Sequence, residues 1–516
     1  MRNWHSLFNL LKLPIQLVFI GVILIGFGNL ITNPVFGLSN IVESEYVVAF
    51  AELVARIGQF IVANFPVLFL IRLTTRKGGN AASISSAITG YIAFLVATIY
   101  FARRDLPSNA YSSILGISVF NSSISTLVNT TSLPLQTGLV GVTLVALITL
   151  ISFSSSKGRN EYSLFPSISK ELLCFIKTVA LSILIGVGIS FVWVYFISFT
   201  QKLVHFIEVD VSNPVNLGLY GIADRLYCVM NLGTLIRQPF WYNANGGSWI
   251  TISGLSVSGD VNIWSSQIMA NSVNGMTGHF ITPYYILNIF AIPGMIWSIY
   301  TIYSDKEERR RRLLFFIFAT VVSLLSGTLL PLELMLLFLA PILFFMHIAM
   351  TSVIFITCQA LHVYLGYYTN TSYISTAMPG TLLELINYMR YPSLTRNVVF
   401  VLVLGVIFFC VYFIMTKIYF NKLALDVFKT GYKETVIKEI IKATGGIENV
   451  KTVDATLSDL SISVHDASKF DVARIKRLGA IKIYENKAGY LISLGTSSNM
   501  VKDGIEKEMR QTKRDV

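Results

Sequence analysis

Five ionisable side chains stand where almost everything around them is apolar. Asp224 and Arg225 adjoin each other, Arg237 follows twelve residues on, and Glu333 and His347 lie in one long hydrophobic run. Charge in such surroundings is costly to keep and is by default a hypothesis of function. The chemistry on offer is recognition of a polar ligand: a guanidinium fork clamps oxygens in pairs, and a carboxylate accepts protons from hydroxyl groups. Each residue also has a structural reading. Asp224–Arg225 could be a neighbouring ion pair, Glu333 a carboxylate satisfied by backbone or a hydroxyl, His347 a helix-packing histidine, and Arg237 the mark of a cytoplasmic helix end. Glu384 is a further buried-looking charge. The run Phe240, Trp241, Tyr242 and Trp249 could stack on a ligand, but belts of interfacial aromatics are commoner. Cys174, Cys228, Cys358 and Cys410 sit in apolar stretches without metal-site or disulfide spacing, as small buried hydrophobes do.

Such residues must be carried by membrane elements. Of 516 residues 53% are hydrophobic and 13% charged, and the mean hydropathy is +0.64, far from a soluble enzyme with about 25% charge. The charge is concentrated at the end: residues 421–516 hold 17 Lys+Arg and 13 Asp+Glu. A long membrane part and a small soluble domain follow. Runs near the roughly 20 residues a span needs occupy 13–32, 60–71, 84–101, 138–153, 172–200, 280–303, 313–330, 332–362 and 397–416. Two stretches, 211–241 and 364–391, mix apolar residues with Gly, Pro, Asn and charge. Irregular backbone at membrane depth is tolerated only inside protein or beside a water-filled cavity, so these stretches point to a transport site.

The net charge of +12 sits largely at membrane ends, including Arg2, Lys12, Arg76, Lys77 and 309–312, as the positive-inside bias requires. No nucleic-acid partner is expected. Both termini are expected in the cytoplasm, and the first span is too long for a cleaved signal. The tail reads as helix, two strands, helix, two strands and helix: 434–443, 450–457, 460–464, 469–478, 480–484, 489–494 and 498–510. That pattern predicts a small α+β domain with a four-stranded sheet.

The tail carries Gly445-Gly446, Glu448-Asn449-Val450, then Val453-Asp454-Ala455-Thr456-Leu457-Ser458-Asp459-Leu460-Ser461-Ile462-Ser463-Val464, then Asp466, Ser468, Lys469 and Asp471. Without a gap this resembles the IIB domain of the glucose superfamily of sugar phosphotransferase permeases. There the frame reads Gly-Gly-x-Glu-Asn-Ile, Asp-Ala-Cys-Ile-Thr-Arg-Leu-Arg-Val and Asp-x-Ser-Lys-Val-Asp. The membrane part resembles the IIC domain of the same superfamily, in Ala63-Asn64-Phe65-Pro66, Tyr220 to Arg225, and Leu332-Glu333-Leu334 with Ala340-Pro341-Ile342-Leu343 and His347. The resemblance implies a polytopic α-helical membrane protein of about ten transmembrane helices plus re-entrant segments, followed by a small α+β domain with a four-stranded antiparallel sheet. It divides the chain into IIC-like 1–419, a linker at 420–432 and IIB-like 433–516. It further implies a bacterial plasma membrane, a homodimer, a sugar-like ligand, the lipid bilayer and proteins of the phosphotransferase system as partners, and no cofactor.

In that family a cysteine of the IIB domain passes a phosphoryl group to the bound sugar, helped by two arginines. Here the corresponding positions are Thr456, Asp459 and Ser461. A threonine hydroxyl is barely ionised, and Asp459 repels an incoming phosphoryl group, so no catalytic residue is expected in this tail. The family's Gly-Leu-His-His aligns with Asn231-Leu232-Gly233-Thr234. The first glutamate of Gly-Ile-Thr-Glu-Pro-Ile-Glu is Leu330, while Glu333 keeps the second, and the Asn-x-Asp region ends at Asn80. The site residues the resemblance implies are therefore Glu333, Arg225, Asp224, Arg237, His347, Asn80 and Thr234, with no metal. The expected function is binding or translocation of a sugar-like solute without phosphorylating it. The alternatives are a non-transporting sensor or regulator, and uptake with the phosphoryl group supplied by a separate IIB protein.

Overall fold

The computed structural model describes residues 2–31, 44–78, 81–102, 106–112, 133–154, 170–251, 254–273, 275, 277–302, 306–368, 379–420, 434–456, 459–478, 480, 482–486, 489–494 and 498–512. The chain is mostly helical. It begins with α1 (Arg2–Ile31), α2 (Glu45–Ala63), α3 (Phe65–Gly78), α4 (Ala81–Phe101), α5 (Gly138–Ser154) and α6 (Lys170–Glu208). Shorter elements follow: α7 (Pro214–Val229), α8 (Thr234–Tyr242), β1 (Ser248–Ile250), β2 (Ser256–Ser258), α9 (Asp260–Met269) and α10 (Thr282–Ile286). A π turn over Leu287–Ala291 leads into α11 (Ile292–Ile302). Then come α12 (Lys306–Ser326), α13 (Leu330–Leu339), α14 (Pro341–Ala360), α15 (Leu382–Tyr388) and α16 (Thr395–Ile418). The C-terminal segment holds α17 (Glu434–Ala443), β3 (Val450–Ala455), β4 (Asp459–Val464), α18 (Val472–Arg477), β5 (Ile483–Asn486), β6 (Gly489–Ser493) and α19 (Ser498–Thr512).

Seven helices among the described residues are long and apolar enough to cross a membrane: Leu11–Gly28, Glu45–Ala63, Ala81–Phe101, Glu171–Glu208, Thr282–Ile302, Pro341–Ala360 and Pro392–Ile418. Phe65–Thr75, Gly138–Ser154 and Leu313–Ser326 are apolar but shorter. Their outer faces are hydrophobic; on α6 Leu184, Phe191, Tyr195 and Phe199 are all more than 60% exposed. A helix apolar toward its surroundings belongs in lipid.

Two expected spans are broken. The 60–71 run is the junction of α2 and α3, because Asn64 turns its own N–H and its side-chain amide onto Phe60 O (3.1 and 2.9 Å) and Pro66 brings no N–H. The 332–362 run divides at Ala340, whose φ of −139° and ψ of 64° leave the helix just before Pro341. The stretch 211–241, in contrast, is mainly regular. Pro214 opens α7 with Asn213 Oδ1 accepting from Val215 N at 2.9 Å, and a turn through Asn231 (φ 59°) passes to α8.

Contacts divide the chain into two units, Leu7–Ile289 with Val322–Leu404, and Met1–Ser6 with Phe290–Val321 and Gly405–Val516. In the first, bare backbone lets helices meet. Gly90 of α4 lies against Thr178 and Ser182 of α6, and Gly218 and Gly221 of α7 lie against Ile356 and Phe355 of α14. The extended stretch 363–368 is buried yet satisfied by side chains. Thr282 Oγ1 accepts from Leu365 N (2.7 Å), Asn397 Nδ2 donates to Tyr364 O (2.8 Å), and Tyr285 donates to Gly366 O (2.7 Å).

In the second unit Ser298 Oγ donates to Phe413 O at 2.8 Å, tying α11 to α16. The C-terminal strands form an antiparallel sheet in the order β3-β4-β6-β5. Its core joins Ile440, Leu460, Ile462, Ile475, Ile492, Val501 and Ile505, with the Phe470 and Tyr490 rings stacked at 3.6 Å. The expected linker at 420–432 lies outside the described residues from 421 onward.

A side chain at Gly58 would run into Gly21 O and Ile25. Gly58→Ile should therefore cost about 1–3 kcal/mol and lower the thermal midpoint of the detergent-solubilised protein, while Gly188→Ala, which meets nothing within 4 Å, leaves it unchanged. In the C-terminal domain the hydrogen bond from Arg474, then that from Lys442, holds the Glu439 carboxyl below its ordinary value of 4.5. A depressed carboxyl stabilises above its unfolded pKa and loses that contribution as pH falls through the folded one. The hydrogen-exchange protection factors of α17, which take out the intrinsic pH dependence of exchange, should therefore fall below about pH 4.5, and Glu439→Gln should blunt that acid dependence.

Candidate functional site

The site starts from the close packing of α7 on α14. One turn beyond Gly221 the chain places Asp224 and Arg225 in the interior, with 0% and 2% of their surface exposed. Both are sequence neighbours on a helix, yet the long Arg225 side chain folds back on the carboxylate. Its Nε donates to Asp224 Oδ2 at 2.9 Å and its Nη2 bonds to the same oxygen. The remaining arm, Nη1, crosses to Glu333 Oε1 on α13 at 3.2 Å. Glu333 reaches this point because the break at Ala340 separates α13 from α14.

Asp224 is shared. Arg237, one turn into α8, donates from Nε to Oδ1 at 2.6 Å and from Nη2 to Oδ2 at 3.2 Å. Tyr284 of α10 donates its hydroxyl proton to Oδ2. Cys228 Sγ, one turn along α7, lies 3.5 Å from Oδ1. On the other side His347 Nε2 is 3.3 Å from Glu333 Oε1. Two guanidinium groups thus face two carboxylates, which is the balance a dry interior demands.

Aromatic faces complete the enclosure. The Arg237 guanidinium lies 4.7 Å from the Trp241 ring and 5.6 Å from Tyr284, while Arg225 lies 5.1 Å from Tyr284. Trp241 Nε1 is held by Tyr220 OH at 2.7 Å. Arg237 is the wet edge of the network, with 23% of its side chain exposed against 0% for Asp224. One polar atom of the network is left over: Glu333 Oε2 is buried and has no hydrogen-bond partner among the described residues. An unsatisfied acceptor beside a guanidinium is where a hydroxyl donor would be held most strongly.

Of the residues expected from sequence, Asp224, Arg225, Arg237, Glu333 and His347 come together. Thr234 does not join them, because its hydroxyl donates to Gln136 Oε1 at 2.6 Å. Asn80 lies outside the described residues. Tyr284 and Cys228 were not anticipated. A tyrosine in an apolar span reads as core, and only its pairing with Asp224 distinguishes it. A separate cavity of about 260 Å³ lies on another side of α8, lined by Asn109, His205, Glu208, Asn243 and Asn245 among others. None of the network residues lines it.

In the C-terminal domain Thr456 and Asp459 close a loop on themselves. Asp459 N donates to Thr456 Oγ1 (3.0 Å), Thr456 N donates to Asp459 O (2.8 Å), and Asn499 Nδ2 reaches Thr456 O (3.2 Å). Asp459 is buried and accepts from Ser493 Oγ at 2.5 Å. Ser461 is a half-buried strand residue paired with Asp454 and Leu491. The Thr456 hydroxyl is engaged in holding the turn, and the Asp459 carboxyl group is turned to Ser493. Among the described residues no cluster of three or more His, Cys, Asp or Glu could hold a metal ion. No family model matches the chain.

Arg225→Met leaves Asp224 with Arg237 as its one cation and Glu333 with His347, so it should cost about 3–5 kcal/mol. Arg225→Lys should recover less than half of that, since an ammonium cannot span both carboxylates. Thermal unfolding of the purified variants checks both, and full rescue by Lys would show that charge alone matters.

Proposed function

We propose that this chain is a membrane carrier of the IIC–IIB type that binds and moves a sugar-like solute without phosphorylating it itself. The observation that carries this reading is the Asp224–Arg225–Arg237–Glu333 network, built on short helices, with the buried Glu333 Oε2 open to a donor. A polyol offers several hydroxyl donors for carboxylates and acceptors for guanidinium forks, and Trp241 and Tyr284 provide flat apolar faces beside them. The seven long apolar helices with the three shorter ones support a count of about ten crossings; that both termini are cytoplasmic in a bacterial plasma membrane belongs to the same reading. The four antiparallel strands of the tail support a IIB-like domain, and its closed Thr456–Asp459 turn supports loss of phosphoryl transfer. A homodimer through the membrane part belongs to the same reading.

A second reading, a non-transporting sensor or regulator, draws on one observation. The tail keeps a hydrophobic core although its Thr456 hydroxyl is engaged in a turn.

Uptake of labelled glucose, maltose and N-acetylglucosamine into proteoliposomes, with no phosphoryl donor, separates these readings. The carrier should let at least one sugar equilibrate, and Glu333→Gln should weaken its binding about tenfold or more, the effect of losing one hydrogen bond to a charged acceptor. Saturable binding without flux would replace the carrier by the sensor. Accumulation of sugar phosphate only when a separate IIB protein and phosphoenolpyruvate with the general phosphotransferase proteins are added would replace it by uptake with phosphorylation in trans.

A further inference from the structure

Among the described residues of the first unit four carboxylates are buried, and three of them have evident reasons to be ionised or tied down. Asp224 lies between two arginines, Glu333 shares one of them, and Asp260 accepts from Gly278 N (2.7 Å) and Phe280 N (3.3 Å). Glu384 is the exception. It sits in the first turn of α15, 9% exposed, and no cation pairs with it among the described residues.

Its surroundings are neutral donors. Oε1 accepts from Tyr388 OH at 2.9 Å and from Tyr368 N at 3.0 Å, and the Tyr285 hydroxyl and the Gly380 backbone also lie close to the carboxyl group; Oε2 makes no further hydrogen bond of ordinary geometry among the described residues. The protons around it can be assigned. Trp264 Nε1 donates to the Tyr388 oxygen (3.0 Å), and the Tyr388 proton faces Glu384 Oε1 at 2.9 Å and Gly366 O at 3.1 Å, the charged acceptor being the stronger. Tyr285 donates its single proton to Gly366 O at 2.7 Å, leaving its oxygen as an acceptor that faces the carboxyl group. Tyr285 from α10 and Tyr388 from the same helix are the titratable side chains facing Glu384; α9 contributes the neutral Trp264 and the extended stretch contributes the Tyr368 backbone. Burial among neutral donors disfavours a carboxylate and favours its protonated form.

The position of the bond to Tyr368 matters as well. At the third residue of a helix opened by Thr381, a glutamate ordinarily reaches back to the cap residue's own N–H. Here Thr381 Oγ1 accepts from Glu384 N (3.2 Å), and the carboxylate, beside the Gly380 backbone just before the cap, also reaches a different segment at Tyr368 N. It therefore joins α15 to the extended stretch 363–368 through a charge-assisted bond.

We propose that Glu384 is a proton-binding site, and that taking up a proton loosens its tie to Tyr368 so that solute movement is coupled to proton movement. One proton from water converts the carboxylate to a neutral carboxyl group. The new O–H on Oε2 donates to the free acceptor on Tyr285, and the bond from Tyr368 N becomes an ordinary neutral one, roughly half as strong. The proton site stands on this geometry, while the coupling rests on the carrier reading. That carrier lacks the phosphoryl group that would otherwise drive accumulation, and intramembrane acids commonly serve as proton relays.

Infrared difference spectra of the full-length protein in nanodiscs, stepped between acid and alkaline pH, test the site. With the acid side held above about pH 6, where exposed carboxyl groups stay ionised, the carbonyl band of a protonated carboxyl group should appear, remain in Glu333→Gln and be lost in Glu384→Gln. A band that persists in Glu384→Gln overturns the proposal. Should that variant not fold, Tyr388→Phe, which removes a donor to the carboxylate, must raise the midpoint by about one pH unit or more; an unmoved midpoint overturns it equally. Proteoliposomes loaded with a pH-sensitive dye and given glucose, maltose or N-acetylglucosamine test the coupling. Sugar entry with proton entry supports it, and sugar entry without proton entry sinks it. If none of the three sugars moves, the carrier reading falls and the coupling with it, while the infrared band still decides the proton site.

Discussion

A charge or a backbone amide taken out of water must find its partner inside the protein, and this requirement organises the whole first unit. Helices meet its demands for themselves along their length. The difficulty lies at their ends and at the irregular stretches between them, and there side chains do what water would do elsewhere. Asn64 closes α2, Asn213 opens α7, Asp260 gathers the amides around Gly278, and Thr282 and Asn397 hold the stretch at 363–368. The arginine–carboxylate network answers the same requirement for charge. Arg225 uses Nε and both terminal nitrogens, on Asp224 and Glu333.

Much of this was legible in the residue order, for physical reasons that can be named. Hydrophobic runs locate most spans because lipid selects for them directly, and isolated charges such as Asp224, Arg225, Glu333 and Glu384 stand out against those runs. What the order conceals is local breakage within a run. The 332–362 stretch is hydrophobic throughout, so the division at Ala340 rests on a single proline, and the junction at Asn64 on another proline and one amide. Partnership over long separations is hidden as well. Arg225 and Glu333 are 108 residues apart, and Trp264 and Tyr388 are 124 apart. Tyr284 joined the site unannounced because an aromatic residue in an apolar helix carries no mark of its hydroxyl's partner.

The C-terminal domain illustrates a different limit. Its alternating strand pattern and the Gly445-Gly446 helix ending could be read with small errors at the boundaries, since β3 ends at Ala455 and β5 starts at Ile483. The meaning of Thr456 needed coordinates. In sequence it is a residue in an unusual place; in the fold its hydroxyl is the pivot of a turn, with Asp459 buried behind it. Thr456 is thus integrated into the local structure through its hydroxyl and its backbone.

The division of the charged network between elements has a mechanical meaning. Asp224 and Arg225 are consecutive residues of α7, and their bonds move with that helix as one body. Glu333 belongs to α13, joined to them by the 3.2 Å contact from Arg225 Nη1. Parting α7 and α8 from α13 would leave one formal positive charge on the first side, from two arginines and one aspartate, and one negative charge on the second. Each side would then face a space that neither could fill, and the attraction between them grows as water is excluded. The network is a clasp with a permanent half and a detachable half. Only something bearing both donors and acceptors could slip between them without leaving either charge bare.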